Sequence, residues 1–520
     1  MDEIRFEDRE AQGKVMNMKR LVAVLLSVAL VASAGCSKEE TSDKAAKDRS
    51  QKSDVTGTEE EASDRKDSEA SGDSDSSDPD VSSDGSESDT DTSSGSTTSA
   101  PNPPAGAVAI NEENFPDSVF RAYISENLDL NADGFMDEEE IGEVTKLNFN
   151  AEDEEGLTSL KGVEYFTALT SLSYRGEESS QESLQELDVS QNTELIEIWI
   201  TNTQITTLDV SANTKLEELW CYDGKLEKVI FGDNPELWRI RVSGNPLKEL
   251  DLSQCPALKM FVCFETNIQS LDLSHNPKLN TLSCGSTPLK ALDLSVCPEL
   301  ENLFVDQCLL ENLDLNGCPL LRTLSCKECG LTSLDVSMCP ELDVLYCDGN
   351  QLTELDLSAN TRMVILTCNG NQLTTLDLQK MELPIGVECA NNLLTEIRVP
   401  KRIVNLDCTN NQITRLDFKN TDINGLICCG NPLTSLSFGR FTSLLLLDVR
   451  DTQLVSVDIR NCSGLVETMQ KCERKEMTED GTDVTGTGKD FDYYEVSGYV
   501  VEFDVLTSVL FCEGTEIVWE

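Results

Sequence analysis

Residues 331–378 read LTSLDVSMCPELDVLYCDGNQLTELDLSANTRMVILTCNGNQLTTLDL. Apolar residues return in this stretch on a 21-residue cycle: Leu342, Leu345 and Cys347 come back as Met363, Leu366 and Cys368, and Leu334 and Val336 as Leu355 and Leu357. A fixed period of this length marks a stacked unit that cannot bury its apolar face alone. Outward from here the phrase continues in both directions. Its leading residues are Leu187, Leu208, Leu250, Leu271, Leu292, Leu313, Leu334, Leu355 and Leu376, with Val229 filling the doubled step in a degenerate copy. Within each cycle the phrases LxC and LDL place alternate residues on one side, which is the period of a strand. The expected fold is mainly β: a solenoid with two short parallel sheets across a thin leucine core. Stacked at about 4.8 Å, roughly 13 turns make a head about 60 Å long.

Ahead of the repeat, residues 129–140 read DLNADGFMDEEE. The spacing fits D-x-[DN]-x-[DN]-G-x5-E at every position. In such a loop Asp129, Asn131 and Asp133 bring side-chain oxygens, and Gly134 permits the sharp turn. The Phe135 carbonyl follows, Asp137 acts directly or through water, and Glu140 closes the sphere with two oxygens. Ca2+ is the expected cofactor, in a structural role, since a solenoid needs a cap at this point. Asn114-Phe115-Pro116-Asp117 starts a helix, and Val119, Phe120, Tyr123, Ile124 and Leu128 recur at helical spacing. A short helix is expected around 138–144.

Before the head, Lys19 and Arg20 precede the apolar run Leu21–Ala32, which ends in Ser33-Ala34-Gly35-Cys36. That is the pattern of a secretory signal peptide. Residues 1–17 are expected to lie upstream of the true start, with 18–35 the leader. Residues 37–105 are Ser, Asp, Glu, Thr and Gly with almost nothing apolar, a composition that cannot offset the entropy of ordering. The division is 36–105 anchor and disordered tether, 106–150 cap, 151–461 repeats and 462–520 a β-rich C-terminal cap. In that last segment 463–471 reads as a short helix, and 492–494 with 498–503 as hairpin strands.

Several resemblances become specific on these residues. Cys36 after Ala-Gly resembles a bacterial lipobox, which implies cleavage before Cys36 and diacylglycerol on its sulfur. Ser33 departs from the usual leucine. The unit LxxLxCxxNxLTxLDLSxNPx resembles the nested bacterial leucine-rich repeats called IRREKO, from about Leu187 to Ile459. The stretch LTSLKGVEYFTALTSL, Leu157 to Leu172, resembles the longer internalin-like repeat. NFPDSVFRAYI with the acidic loop resembles the head of leucine-rich-repeat surface proteins of gut Firmicutes. The resemblance implies that the asparagine at the ninth position turns inward and bonds loop backbone between turns. Pro384 breaks the phrase at 381–387, and the spacing shortens near Leu416.

Twenty cysteines raise the possibility of a disulfide scaffold. Their positions argue for a column of small buried thiols. Cys221, Cys263, Cys284, Cys326, Cys347, Cys368, Cys389, Cys408 and Cys428 hold the inward strand position. Cys255, Cys297, Cys308, Cys318, Cys329, Cys339 and Cys462 replace the ladder asparagine. Cys472 and Cys512, outside the repeat, are the disulfide candidates. Cys326-x-x-Cys329 has no second half-site, and Gly486-Thr-Gly-Lys489 lacks the first glycine and the Ser/Thr of a phosphate loop. The single histidine, His275, sits in a repeat turn.

Function follows by exclusion and by pattern. A net charge of −54 argues against nucleic acid and against anionic lipid head groups. Nothing beyond repeat, cap and tether suggests catalysis, so no enzyme is expected. One column, Asp188, Asp209, Asp251, Asp272, Asp293, Asp314, Asp335, Asp356 and Asp377, is uniform and reads as solubility and edge protection, with loose cation binding a lesser alternative. The other outward column varies from turn to turn, as recognition requires. Trp199, Trp220, Tyr222, Arg241, Phe264, Phe304 and Tyr346 are therefore the expected ligand-binding face. The reading is a monomeric adhesin or interaction module for a protein or glycan, held at the outer face of a bacterial membrane by lipid alone. The alternative is a structural envelope component with no external ligand.

Overall fold

The computed structural model describes residues 106–151, 153–177, 183–439 and 443–466, and beyond them 474–477, 483–484, 491–496, 507–512 and 515–518. The leader, Cys36 and the tether lie outside the described residues, as do Cys472 and the side chain of Cys512.

The repeats wind into a parallel β-solenoid of about 14 turns. Each turn contributes one strand to a continuous long sheet. It begins Lys146–Asn150, Ser171–Arg175, Glu197–Thr201, Glu218–Tyr222, Arg239–Arg241, Met260–Val262 and continues to Leu446–Asp448. The register is in phase with the sequence period: Leu282 opposes Leu303, then Leu324, Leu345 and Leu366. A one-residue slip would turn every leucine to solvent, so the apolar pattern itself sets the register. The first rungs are further apart in sequence, Leu147 to Leu172 to Ile198. At Pro384 the register shifts between Ile385 and Val387, and the next turn is short.

Inside, the first strand position is filled by Leu219, Ile240, Phe261, Leu282, Leu303, Leu324, Leu345 and Leu366, all fully buried. Burial of such side chains stabilises by about 1.5–3 kcal/mol each. The next inward position is the expected thiol column, free and buried from Cys221 to Cys428, with Val242 and Val305 interposed. Burial pushes the ladder thiols Cys255 and Cys318 up to about 12, and Cys297 and Cys339 up to about 11. At neutral pH these are packed thiols, not nucleophiles.

Two hydrogen-bond ladders seal the turns, and they differ. In the ladder after the long sheet, Asn350 donates through Nδ2 to the carbonyls of Cys326 (2.8 Å) and Cys347 (3.0 Å), while its Oδ1 accepts from the Leu331 N–H (3.0 Å). Asn245, Asn371, Asn392, Asn411 and Asn431 repeat this pattern. In the opposite ladder Asn276 donates to Leu252 and Cys255 carbonyls, but its buried Oδ1 has no partner, and the same holds for Asn192, Asn213 and Asn360.

The second sheet differs from the expectation. Among the described residues it consists of separate strand pairs, Thr207–Asp209 with Lys228–Ile230, Thr375–Asp377 with Glu396–Arg398, Arg415–Phe418 with Ser435–Phe438, and Ser456–Asp458 with Glu516–Val518. Between residues 250 and 357 the LDL segments are not strands. There the chain enters a tight turn at once, as when Asn276 N–H bonds the Leu273 carbonyl and Leu279 N–H the Asn276 carbonyl. The same turn follows the paired strand Thr207–Asp209, where the Asn213 N–H bonds the Val210 carbonyl, so the turn by itself does not decide whether the segment pairs.

Both ends are closed. Helix α1, Ser118–Asn127, is capped by Asp117, whose other oxygen accepts from Thr158 and Ser159 of the first turn. Phe115, Phe120, Tyr123 and Phe149 interlock edge to face. Gly162, at φ +107°, passes under Phe115 and Asn114 where a Cβ would collide with both. Helix α2, Glu138–Glu143, starts with a capping box of Asp137 and Glu140. At the other end, 463–466 is helical, in the segment read as a helix. The strand Phe491–Val496 pairs antiparallel with Thr507–Cys512, which itself continues the long sheet from Leu446–Asp448. The expected partner strand, 498–503, lies outside the described residues.

Candidate ligand-binding face

On the outer side of the long sheet, in-phase stacking turns a column of the repeat into a row of neighbours. Asn148, Ser173, Trp199, Trp220, Arg241 and Val262 succeed one another on adjacent strands. Trp199 and Trp220 stack face to face, centroids 4.9 Å apart and planes 15° from parallel. The Arg241 guanidinium lies 4.2 Å from the Tyr222 ring centroid, 5.6 Å from Phe264 and 5.8 Å from Trp220. Its Nε donates to Ser243 Oγ (3.1 Å), and burial pulls its pKa below the ordinary guanidinium range. Such contacts contribute about 0.5–2 kcal/mol each and hold the side chains in one arrangement.

The structure thus brings together Trp199, Trp220, Tyr222, Arg241 and Phe264. Phe304 and Tyr346 share the outer side but stand further along. Tyr346 makes its own contact with Lys327, 4.9 Å from the ring, and burial raises its hydroxyl pKa. Val262, Ser283 and Ser325 face outward yet are covered by longer neighbours. Sequence reasoning missed Trp238 and Arg239. Arg239 lies 4.3 Å from the Trp238 ring centroid and 5.3 Å from that of Trp220, and is paired with Glu218 (3.3 Å), which also accepts from Trp220 Nε1 (3.0 Å). The signal was present as ELWRIRV, but only stacking of turns shows that these side chains meet.

The acidic loop is closed by its own backbone. Asp129 accepts from Asp133 and Gly134 N–H groups, and Asn131 from Asp133. Asp133 accepts from Phe135, and Glu140 from Leu130 and Asp137. Ala132 and Gly134 take left-handed φ values of 56° and 82°. The strand Phe135–Met136 pairs with Val108–Ala109, a contact the sequence did not announce. Asp129 and Glu140 are buried carboxylates with no ion pair among the described residues. The donors are all oxygens, the type a hard divalent cation takes. No group of three or more His, Cys, Asp or Glu side chains is gathered in metal-holding geometry among the described residues.

The uniform aspartates have a local role that differs from solubility and edge protection. Each accepts, at 2.8–3.0 Å, the backbone N–H two residues on: Ser190, Ser211, Ser253, Ser274, Ser295, Asn316, Ser337, Ser358 and Gln379. This is an Asx turn repeated once per cycle. It explains why Asp, and not merely any charged residue, recurs.

No family model matches the chain, and no curated protein matches it in sequence. Among solved structures it is similar to the functional domain of InlJ from Listeria monocytogenes, described as including a cysteine ladder. Identity is 22%, the TM-score is 0.56, and the match covers 79% of this chain and 99% of that one. An internalin, inlF, of the same organism matches at 19% identity and a TM-score of 0.47, over 69% of this chain and 96% of that one. The first likeness, with the in-phase rungs and the sealed ladders, shows that the chain has the leucine-rich-repeat solenoid fold.

Proposed function

We propose that this chain is a lipid-anchored surface protein that binds a protein or glycan ligand through the outer face of its long sheet, and has no catalytic role. The observation that carries the reading is the cluster of Trp199, Trp220, Tyr222, Arg241 and Phe264 on adjacent turns. A repeat under structural constraint alone would carry like residues on every turn, as the aspartate column does. Aromatic rings braced by arginine are the usual anchors of an interface. Bracing also lowers the entropy lost when a partner docks. The leucine-rich-repeat solenoid fold, shared with the functional domain of InlJ, agrees with a binding module. Anchoring rests on Cys36 behind its apolar run, and incorporation of labelled fatty acid checks it. Calcium, held by Asp129, Asn131, Asp133, the Phe135 carbonyl, Asp137 and Glu140, would neutralise the loop and stiffen the cap.

The test is capture of surface molecules by the intact chain and by a Trp220→Ala, Tyr222→Ala double variant with unchanged circular dichroism. The variant should lose about tenfold or more in affinity for the captured partner. Equal capture by parent and variant would move the site off this face.

A further inference from the structure

We propose that the notch between Trp199 and the strand Lys146–Asn150 is a sugar subsite that seats one pyranose ring of a glycan. This rests on the reading of the long sheet as the recognition face and names a ligand class for one part of it.

The argument starts from the two faces of the Trp199 indole. One is covered by Trp220 at 4.9 Å. The arginines that brace the cluster contact Trp220, Trp238, Tyr222 and Phe264, and none contacts Trp199. Trp199 keeps 46% of its surface exposed, the largest exposure among the aromatic side chains of this face. Its free face looks along the row toward Ser173 and then Asn148. Serines also stand beside and before it, at Ser171 and Ser173, where the next two turns carry Glu218, Trp220 and Arg239, Arg241. Two strand spacings, about 10 Å, separate Trp199 from the Asn148 strand. With only serine between, a ring can lie flat against the indole.

The floor of the notch is polar. Ser173 Oγ donates to Asn148 Oδ1 at 2.8 Å, and among the described residues the Asn148 amide N–H groups and the Ser173 oxygen lone pairs have no other partner. Arg175 is exposed on the same strand as Ser173. A flat apolar platform beside mixed donors and acceptors matches a pyranose, which has one C–H face and hydroxyls that both donate and accept. A protein side chain buried here would lack the apolar surround that excludes water from an interface anchor. Toward Phe264, where apolar rings and arginine crowd together, that surround does exist. The two ends of the patch therefore suit different chemistries.

The experiment is titration of the full chain with chitohexaose, cellohexaose and a hyaluronan hexasaccharide, followed by calorimetry and tryptophan fluorescence. At least one should bind. Trp199→Ala should weaken it about tenfold by removing the platform. Ser173→Trp, which keeps Trp199 and stacks a new indole on its free face, should abolish binding without lowering the melting temperature. Absence of binding by all three sugars, or binding indifferent to both variants, overturns the proposal. Capture of an aromatic peptide at Trp199 in place of sugar also overturns it. The broader reading is judged separately by the Trp220, Tyr222 variant: partner capture that depends on those residues survives a failure of the notch, and sugar binding at Trp199 survives a failure there.

Discussion

At the scale of the residue, the two ladders show how one side chain can be fully satisfied in one place and half satisfied in another. Asn350 satisfies two carbonyls and one N–H, all buried. Asn276 satisfies two carbonyls but brings an acceptor that nothing meets. A thiol at the second site loses donors yet removes that orphan oxygen, as at Cys255, Cys297, Cys318 and Cys339; the first ladder also holds thiols, Cys308 and Cys329, which bond the Cys284 and Val305 carbonyls but offer no amide oxygen to a neighbouring N–H. The same substitution should therefore have unequal effects. Asn276→Cys should lie within about 1 kcal/mol of the parent, whereas Asn350→Cys, which strands the Leu331 N–H, should destabilise by about 1–3 kcal/mol more. Urea unfolding of the two variants decides it, and equal losses would refute the distinction. The sequence showed both positions as N or C and could not tell them apart, because the difference lies in whether a neighbouring turn presents an N–H.

At the scale of the element, the N-terminal cap depends on contacts between segments that are far apart in sequence. Asp117 both caps α1 and accepts from Thr158 and Ser159, so the helix start is tied to the first turn. The loop strand Phe135–Met136 is tied to Val108–Ala109. Calcium bound only by the folded loop stabilises it by about 2.7 kcal/mol at a concentration a hundredfold above the dissociation constant. The melting temperature should rise on adding calcium and fall with a chelator, and Glu140→Gln should remove the response because it replaces one of the two oxygens at the closing position with an amide nitrogen and removes the charge. Identical melting of the parent in calcium and chelator would exclude the cation. Loop spacing and helix were legible from residues alone. The short strand at 108–109 was not, since two residues carry no periodicity.

At the scale of the molecule, the aspartate column links stability to pH. Hydrogen bonds hold the carboxyls of Asp188, Asp251, Asp272, Asp293, Asp335 and Asp356 below their ordinary range. The serine hydroxyl leads at Asp251, Asp293 and Asp335, and the backbone N–H at Asp188, Asp272 and Asp356. A carboxyl with a lower pKa in the folded than in the unfolded chain stabilises the fold above the unfolded value, about 3.9, and the contribution fades as pH falls through the folded value. Asp293→Ala should thus melt below the parent at pH 7, with the gap narrowing as pH falls below the ordinary carboxyl range of about 3.9. A gap constant with pH would mean that the charge takes no part. Comparing variant with parent removes the general effect of titrating so acidic a chain.

What the sequence determined by itself is whatever repeats. A 21-residue cycle with leucines at strand spacing admits one way of burying its apolar side, so fold, register, thiol column and the outer row of variable residues all follow from it. The tertiary structure decided what depends on neighbouring turns: that the second sheet breaks into separate pairs, that the aspartates close turns, and that Trp238 and Arg239 join the aromatic row. Among the described residues it also left one face of Trp199 uncovered. Periodicity specifies which way a side chain points, but contact between side chains depends on their sizes on adjacent rungs, and those become neighbours only when the coil is wound.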